Sequence, residues 1–158
     1  MTQLKISTIC GSLLVALLLL ACGQKQDTLF QQLPVNQTGI DFSNRINDSD
    51  TFSILTYEYI YNGGGVATAD FNNDGLLDAF FSGNMVENRL YLNQGDFQFL
   101  DITKTAAVDG DGRWNSGIAV VDINTDGWLD LYVCATTHEP GPKRANLLYI
   151  NQGANEEG

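Results

Sequence analysis

Two short stretches of this chain carry carboxylates at a spacing that suits a hard cation. Asp70-x-Asn72-x-Asp74-Gly75-x-x-Asp78 and Asp122-x-Asn124-x-Asp126-Gly127-x-x-Asp130 put oxygen-bearing side chains at positions 1, 3, 5 and 9, with glycine at position 6. Calcium takes roughly six to eight oxygens, and a loop curling round it turns positions 1, 3 and 5 inward, bends at the glycine and offers a main-chain carbonyl from position 7. Here that carbonyl belongs to Leu76 or Trp128, and Asp78 or Asp130 closes the shell. Six of the 19 acidic residues sit in these loops. Carboxylates about 4–5 Å apart repel by about 1–4 kcal/mol per pair at effective dielectrics between roughly 80 and 20. The expectation is therefore two calcium ions, one per loop. An Asn/Asp/Gly turn without metal accounts for one such loop but poorly for two in register, and magnesium keeps its waters. An EF-hand needs a bidentate Glu at position 12, where Phe81 and Val133 stand, so the ion is expected between the two strands of a hairpin.

The loops lie inside a longer duplication. Residues 65–81 match residues 117–133 without a gap, an offset of 52. A second marker, Asn88-x-Leu90-Tyr91-x-Asn93-Gln94-Gly95, returns as Asn146-x-Leu148-Tyr149-x-Asn151-Gln152-Gly153 at an offset of 58, so the second copy carries six extra residues between 135 and 145. Short apolar runs rich in β-branched and aromatic residues, divided by Gly, Asn and Asp, predict strands over 66–69, 77–81, 89–92 and 97–100. The second copy predicts strands over 118–121, 129–133 and 147–150, without a fourth. A repeat of this length built from four strands is a propeller blade rather than a helical solenoid unit. The fold class expected is all-β, a partial β-propeller of about two four-stranded blades. Because a blade buries its faces against neighbours, the chain reads as the front end of a longer protein, or as one that assembles with other chains.

The N-terminus reads as an export signal. Lys5 precedes the apolar run 13–20, which is too short for a membrane span and ends at Leu19-Leu20-Ala21-Cys22. That tetrapeptide resembles the lipobox of bacterial lipoproteins, which implies a thioether-linked lipid on Cys22 and stable anchoring through two or more acyl chains. An ordinary secretory signal with a chance cysteine is the alternative. Gly23 after the cysteine favours the outer membrane by the same analogy. The division expected is a signal over 1–21, a tether over 22–37, an N-terminal strand region over 38–64, a first blade over 65–116 and an incomplete second blade over 117–158. With Cys10 in the signal and Cys22 lipidated, Cys134 is left without a disulfide partner and is expected as a small buried hydrophobe.

The Asp-x-Asn-x-Asp-Gly-x-x-Asp loops with flanking Gly-Val-Ala and Leu-Asp strands resemble FG-GAP/VCBS repeats, the calcium blades of integrin α-subunit propellers. The Asn-x-Leu-Tyr-x-Asn-Gln-Gly strand, with Phe99-Leu100-Asp101-Ile102-Thr103, is similar to cartilage-acidic-protein-like (ASPIC/UnbV-associated) secreted proteins. The resemblance implies about seven blades in full-length relatives. It also implies a partner face opposite the metal hairpins, formed by residues 62–64, 82–87, 109–115 and 136–144. On that face Arg113 and Trp114 are a candidate contact pair, with Trp114 as a plug of the blade junction the plainer alternative, and His138 is a candidate contact or a solvated side chain.

A net charge of −11 disfavours nucleic acid as a partner. Asn62-Gly63-Gly64-Gly65 lacks the Lys and helix of a phosphate loop. The function expected is a cell-surface or envelope lipoprotein that binds an unidentified protein or glycan, with calcium in a structural role. The competing readings are a calcium-dependent propeller enzyme acting on polysaccharide, with Glu87, Asp109, Asp111, His138, Lys143 and Arg144 as its candidate groups, and a subunit of an outer-membrane uptake complex.

Overall fold

The structure, a computed structural model of the chain, describes residues 28–136 and 142–153. The expected signal over 1–21, Cys22, His138, Glu139 and the tail over 154–158 lie outside the described residues. No helix among the described residues is long and apolar enough to cross a membrane.

Apart from one helical turn at Val35–Thr38 and a 3-10 turn at Pro142–Arg144, the regular structure among the described residues is β. Strands β1 (Val66–Ala69), β2 (Asp78–Phe81), β3 (Arg89–Asn93) and β4 (Phe99–Asp101) form an antiparallel meander in chain order, and β5 (Asn115–Val121), β6 (Asp130–Ala135) and β7 (Leu147–Tyr149) form a second. Each acidic loop closes a hairpin in the same register, with Ala69 opposite Asp78 and Val121 opposite Asp130. These are the two blades of the repeat. The boundaries shift where turn chemistry intervenes. β4 starts at Phe99 rather than 97, because Asp96 and Phe97 are left-handed (φ 49° and 58°) and Gln98 N–H donates back to Gly95 O at 2.9 Å in a turn. β5 starts at Asn115, ahead of the expected 118, by way of a bulge between Asn115 and Ile118.

The core lies between the blades. Phe80 and Leu90 of the first sheet meet Leu131 and Val133 of the second, with Ala69, Phe71 and Val108 buried beside them and Ile118, Val120, Leu147 and Tyr149 at the rim. Fully burying side chains of this size contributes about 1.5–3 kcal/mol each. Side chains alternate across β6, so Leu131 and Val133 point into the core while Tyr132 and Cys134 point away.

Cys134 is therefore exposed, not buried as expected. Its counterpart in the first repeat, Ser82, is fully buried, because β5 lies over it and the Ser82 hydroxyl donates to Ser116 O at 2.5 Å. Among the described residues no strand covers Cys134 in that way.

The segment 38–64 contains no strand, against the expectation of one. Its backbone groups are spent in local turns, among them Phe52 N–H to Ser49 O, Tyr57 N–H to Ser53 O and Ile60 N–H to Tyr57 O. What it supplies is cover. Phe42 stacks on Phe81 with centroids 5.0 Å apart, Phe81 meets Tyr91 edge-on at 5.8 Å, and Tyr91 donates its hydroxyl to Asp41 Oδ1 at 2.8 Å. Burial and the Asp41 carboxylate together push the Tyr91 phenol up to about 12.

Candidate functional site

The first loop leaves β1 at Asp70 and re-enters the sheet at Asp78. Asn73 (φ 57°) and Gly75 (φ 88°) take left-handed conformations, as do Thr125 (φ 60°) and Gly127 (φ 90°) in the second loop. Glycine at the sixth position carries this conformation without steric cost, and nothing lies near enough to obstruct a side chain there, so backbone conformation is the reason for its presence.

Inside each loop the side-chain oxygens converge on main-chain N–H groups. Asp74 N–H lies 3.1 Å from Asp70 Oδ1 and 3.2 Å from Asn72 Oδ1; Gly75 N–H donates to Asp70 Oδ2 at 2.8 Å and Leu76 N–H to Asp74 Oδ1 at 2.8 Å. The second loop repeats this bond for bond. Asp126 N–H lies 3.1 Å from Asp122 Oδ1 and 3.2 Å from Asn124 Oδ1, Gly127 N–H donates to Asp122 Oδ2 at 2.9 Å, and Trp128 N–H donates to Asp126 Oδ1 at 2.9 Å. Asn72 and Asn124 each donate Nδ2 to the neighbouring Asp74 or Asp126 carboxylate, at 2.9 and 2.7 Å.

The ninth-position aspartates stand apart from this trio. Asp78 and Asp130 are fully buried. Asp78 accepts Phe71 N–H at Oδ2 and Asn93 N–H at Oδ1, both at 2.8 Å. Asp130 does the same with Ile123 at 2.9 Å and Asn151 at 2.8 Å. Each thus ties its loop to the end of the third strand of its own blade, at Asn93 in β3 and at Asn151 just past β7. The Asp78 carboxyl is held above the usual carboxylate range chiefly by burial; its two N–H donors pull the other way, and Asp74 and Asp70 add to the rise.

The donors fit calcium in kind: three carboxylates, an amide oxygen and a loop carbonyl are hard oxygen ligands. The upward push of Asp70 and Asp74 on Asp78 marks a shared negative field that a cation would relieve. Among the described residues, no group of three or more acidic, His or Cys side chains is gathered closely enough to hold a metal; the Asp70 and Asp74 carboxylates accept loop N–H groups.

At the opposite end of the blades, the loops expected as a partner face are packed together by buried amides. Asn115 donates Nδ2 to Asn88 Oδ1 at 2.9 Å, Asn88 Oδ1 also accepts Gly83 N–H at 3.0 Å, and Asn84 donates to Asn115 O at 2.8 Å and Gly63 O at 3.3 Å. Gly64 is required there by close approach, since a Cβ would lie 1.9 Å from Ser82 O. Trp114 is half-buried, its ring met edge-on by Phe52 at 5.4 Å and Tyr57 at 5.7 Å. Arg113 is largely buried and donates Nη1 to Asp111 at 2.8 Å. Lys104 bridges Glu87 at 2.8 Å and Asp109 at 2.9 Å.

The structural weight of Asn88, Asn93, Asn115 and Asn151 did not emerge from the acidic spacing. The repeated marker holds the signal for three of them. Asn88 and Asn146 each accept the N–H of an equivalent residue, Gly83 or Ala135, and Asn93 and Asn151 each donate their own N–H to a ninth-position aspartate.

A family model described as FG-GAP-like repeat matches residues 70–133, which run from the first aspartate of the first loop into β6. Cartilage acidic protein 1 of Xenopus tropicalis is 35% identical over 72 residues, covering 45% of this chain and 11% of the relative. The Homo sapiens protein of the same name is 33% identical over 72 residues with the same coverage. The chain thus spans about a tenth of the length of the curated relatives it matches. The resemblance to FG-GAP repeat proteins of the cartilage acidic protein kind holds over this segment, and with it the propeller-like all-β architecture; FG-GAP repeats generally bind calcium.

Proposed function

We propose that this chain is the calcium-stabilised, propeller-type binding module of an exported lipoprotein. Each acidic loop would hold one calcium ion, and the loops at the far end of the blades would face a protein or glycan. The observation that carries the reading is the bond-for-bond identity of two acidic loops across an offset of 52 residues, within a segment that matches a calcium-binding repeat family. Asp70, Asn72, Asp74 and the Leu76 carbonyl would hold the first ion, with Asp122, Asn124, Asp126 and the Trp128 carbonyl holding the second. Asp78 and Asp130 would close the two shells through carboxylate oxygens that also accept N–H groups, as those of Asp70 and Asp122 do. The bound ion would supply charge neutralisation and loop rigidity.

A binding role is favoured over catalysis because the acids on the far face are engaged in ion pairs: Glu87 and Asp109 with Lys104, and Asp111 with Arg113. Anchoring through Cys22 and an envelope location rest on the Leu-Leu-Ala-Cys sequence alone.

The test is a thermal melt with calcium and with chelator. At free calcium 100-fold above the dissociation constant, each independent site adds about 2.7 kcal/mol to stability. Asp74→Ala combined with Asp126→Ala should remove most of the response. A melt indifferent to both calcium and chelator would reject the metal reading. Replacing Cys22 with Ser should move the protein from the membrane fraction to the soluble one.

A further inference from the structure

The two acidic loops touch one another through the side chains of two asparagines. Asn73, the left-handed residue of the first loop, donates Nδ2 to Gly127 O of the second at 3.3 Å. The firmer link is Asn151. Its backbone N–H holds Asp130 Oδ1 at 2.8 Å and its Nδ2 reaches Leu129 O at 3.2 Å, both in the second loop. The same Nδ2 also crosses to Phe71 O of the first loop at 2.8 Å. Phe71 in turn donates its own N–H to Asp78. Asn93, the counterpart in the first repeat, makes the same local bonds, to Asp78 Oδ1 at 2.8 Å and Leu77 O at 3.0 Å, without a cross-blade partner among the described residues.

We propose that the two loops bind calcium as a coupled pair and that Asn151 is the positioning residue through which they communicate. The inference rests on the calcium reading above. An ion that orders the second loop fixes Asp130 and the Leu129 carbonyl, and so fixes Asn151. That places its amide on Phe71, next to the residues that would hold the first ion. The first loop then loses less freedom when its own ion binds, which is positive coupling between the sites. Linkage makes the effect reciprocal: each site tightens the other by the same factor.

The experiment is a calorimetric titration of the chain with calcium alone. Asp126→Ala disables the second loop and Asp74→Ala the first. Each should weaken the remaining site by about 5-fold or more, and by equal factors, at the lower end of the usual range for coupled sites. Asn151→Ala should bring both factors close to one, while Asn93→Ala should leave them unchanged. Asn151 Oδ1 also accepts Gly153 N–H at 3.0 Å, so if Asn151→Ala does not fold, Asn151→Ser keeps a short acceptor there and is too short to reach Phe71. Two sites that bind independently in the unaltered chain would overturn the coupling and leave the calcium reading intact. Coupling that survives loss of Asn151 would overturn its role. Absence of any binding to either loop would overturn the calcium reading and this inference with it.

Discussion

Asn115 hands its side-chain amide to Oδ1 of Asn88 at 2.9 Å, from one blade to the next, and both residues are out of contact with solvent. The pair joins three chain segments, because Asn88 Oδ1 also takes Gly83 N–H and Asn88 Nδ2 donates to Val108 O at 3.2 Å. Leaving a buried donor unpaired costs about 1–3 kcal/mol. Asn88→Ala is therefore expected to lower the unfolding free energy by at least that amount in urea titrations, more than Asn72→Ala in an exposed loop measured without calcium. Equal losses for the two variants would mean that the amide pair holds nothing together.

The aspartates within one loop are predicted to separate by role. Asp78→Ala removes the acceptor for Phe71 and Asn93, and hydrogen bonds to charged groups contribute about 1.5–3 kcal/mol each, so the variant should be destabilised even in chelator. Asp74→Ala should change the calcium response and leave the chelated melt within about 1 kcal/mol of the parent. Chemical denaturation in calcium and in chelator resolves the two; the reverse assignment would show that Asp78 acts only through the metal.

Tyr91 provides a prediction at high pH. Its phenol is raised from 10.0 to about 12 in the folded chain, by burial first and the Asp41 bond second. A group raised on folding contributes stability that is complete below its unfolded value and is lost as pH rises through the folded one. Stability is thus expected to fall between about pH 10 and 12, and phenolate absorbance should include one component delayed toward the top of that window. In Tyr91→Phe the delayed component should vanish. Its persistence would assign it to another tyrosine.

Thiol labelling reports which face of the second blade is covered. Cys134 in the folded chain should react with a maleimide about as fast as in urea, whereas Ser82→Cys at the equivalent position should stay protected until the chain unfolds. Peptide mapping distinguishes the two positions. Equal protection of both would mean that Cys134 is covered.

Much of this arrangement was legible in the residues. The hairpins are marked at both ends, by Gly and an apolar run before each loop and by Leu-Asp after it, and the strands formed within a few positions of the pattern. The loops were legible as oxygen-rich turns because Asp, Asn and Gly at fixed intervals satisfy turn geometry and metal chemistry alike. What the spacing does not carry is the burial of position 9, where Asp78 and Asp130 each also accept two main-chain N–H groups beneath the loop.

The N-terminal segment was harder to read, since Phe42, Phe52 and Tyr57 have strand-forming side chains but lie among Ser, Asn and Asp residues whose local hydrogen bonds win. Cys134 was misplaced because an apolar run on a two-sided sheet does not reveal which face a neighbour will cover. The alternation Leu131, Tyr132, Val133, Cys134 held the answer once Val133 was assigned to the core.

The reach of Asn151 back to Phe71 spans 80 residues and runs from the later repeat to the earlier one. On a ribosome, the first loop would emerge and close its own hairpin long before the amide that completes it has been translated. Maturation of the leading blade would then await the trailing one, and an interrupted or stalled chain would expose a half-finished turn to proteases.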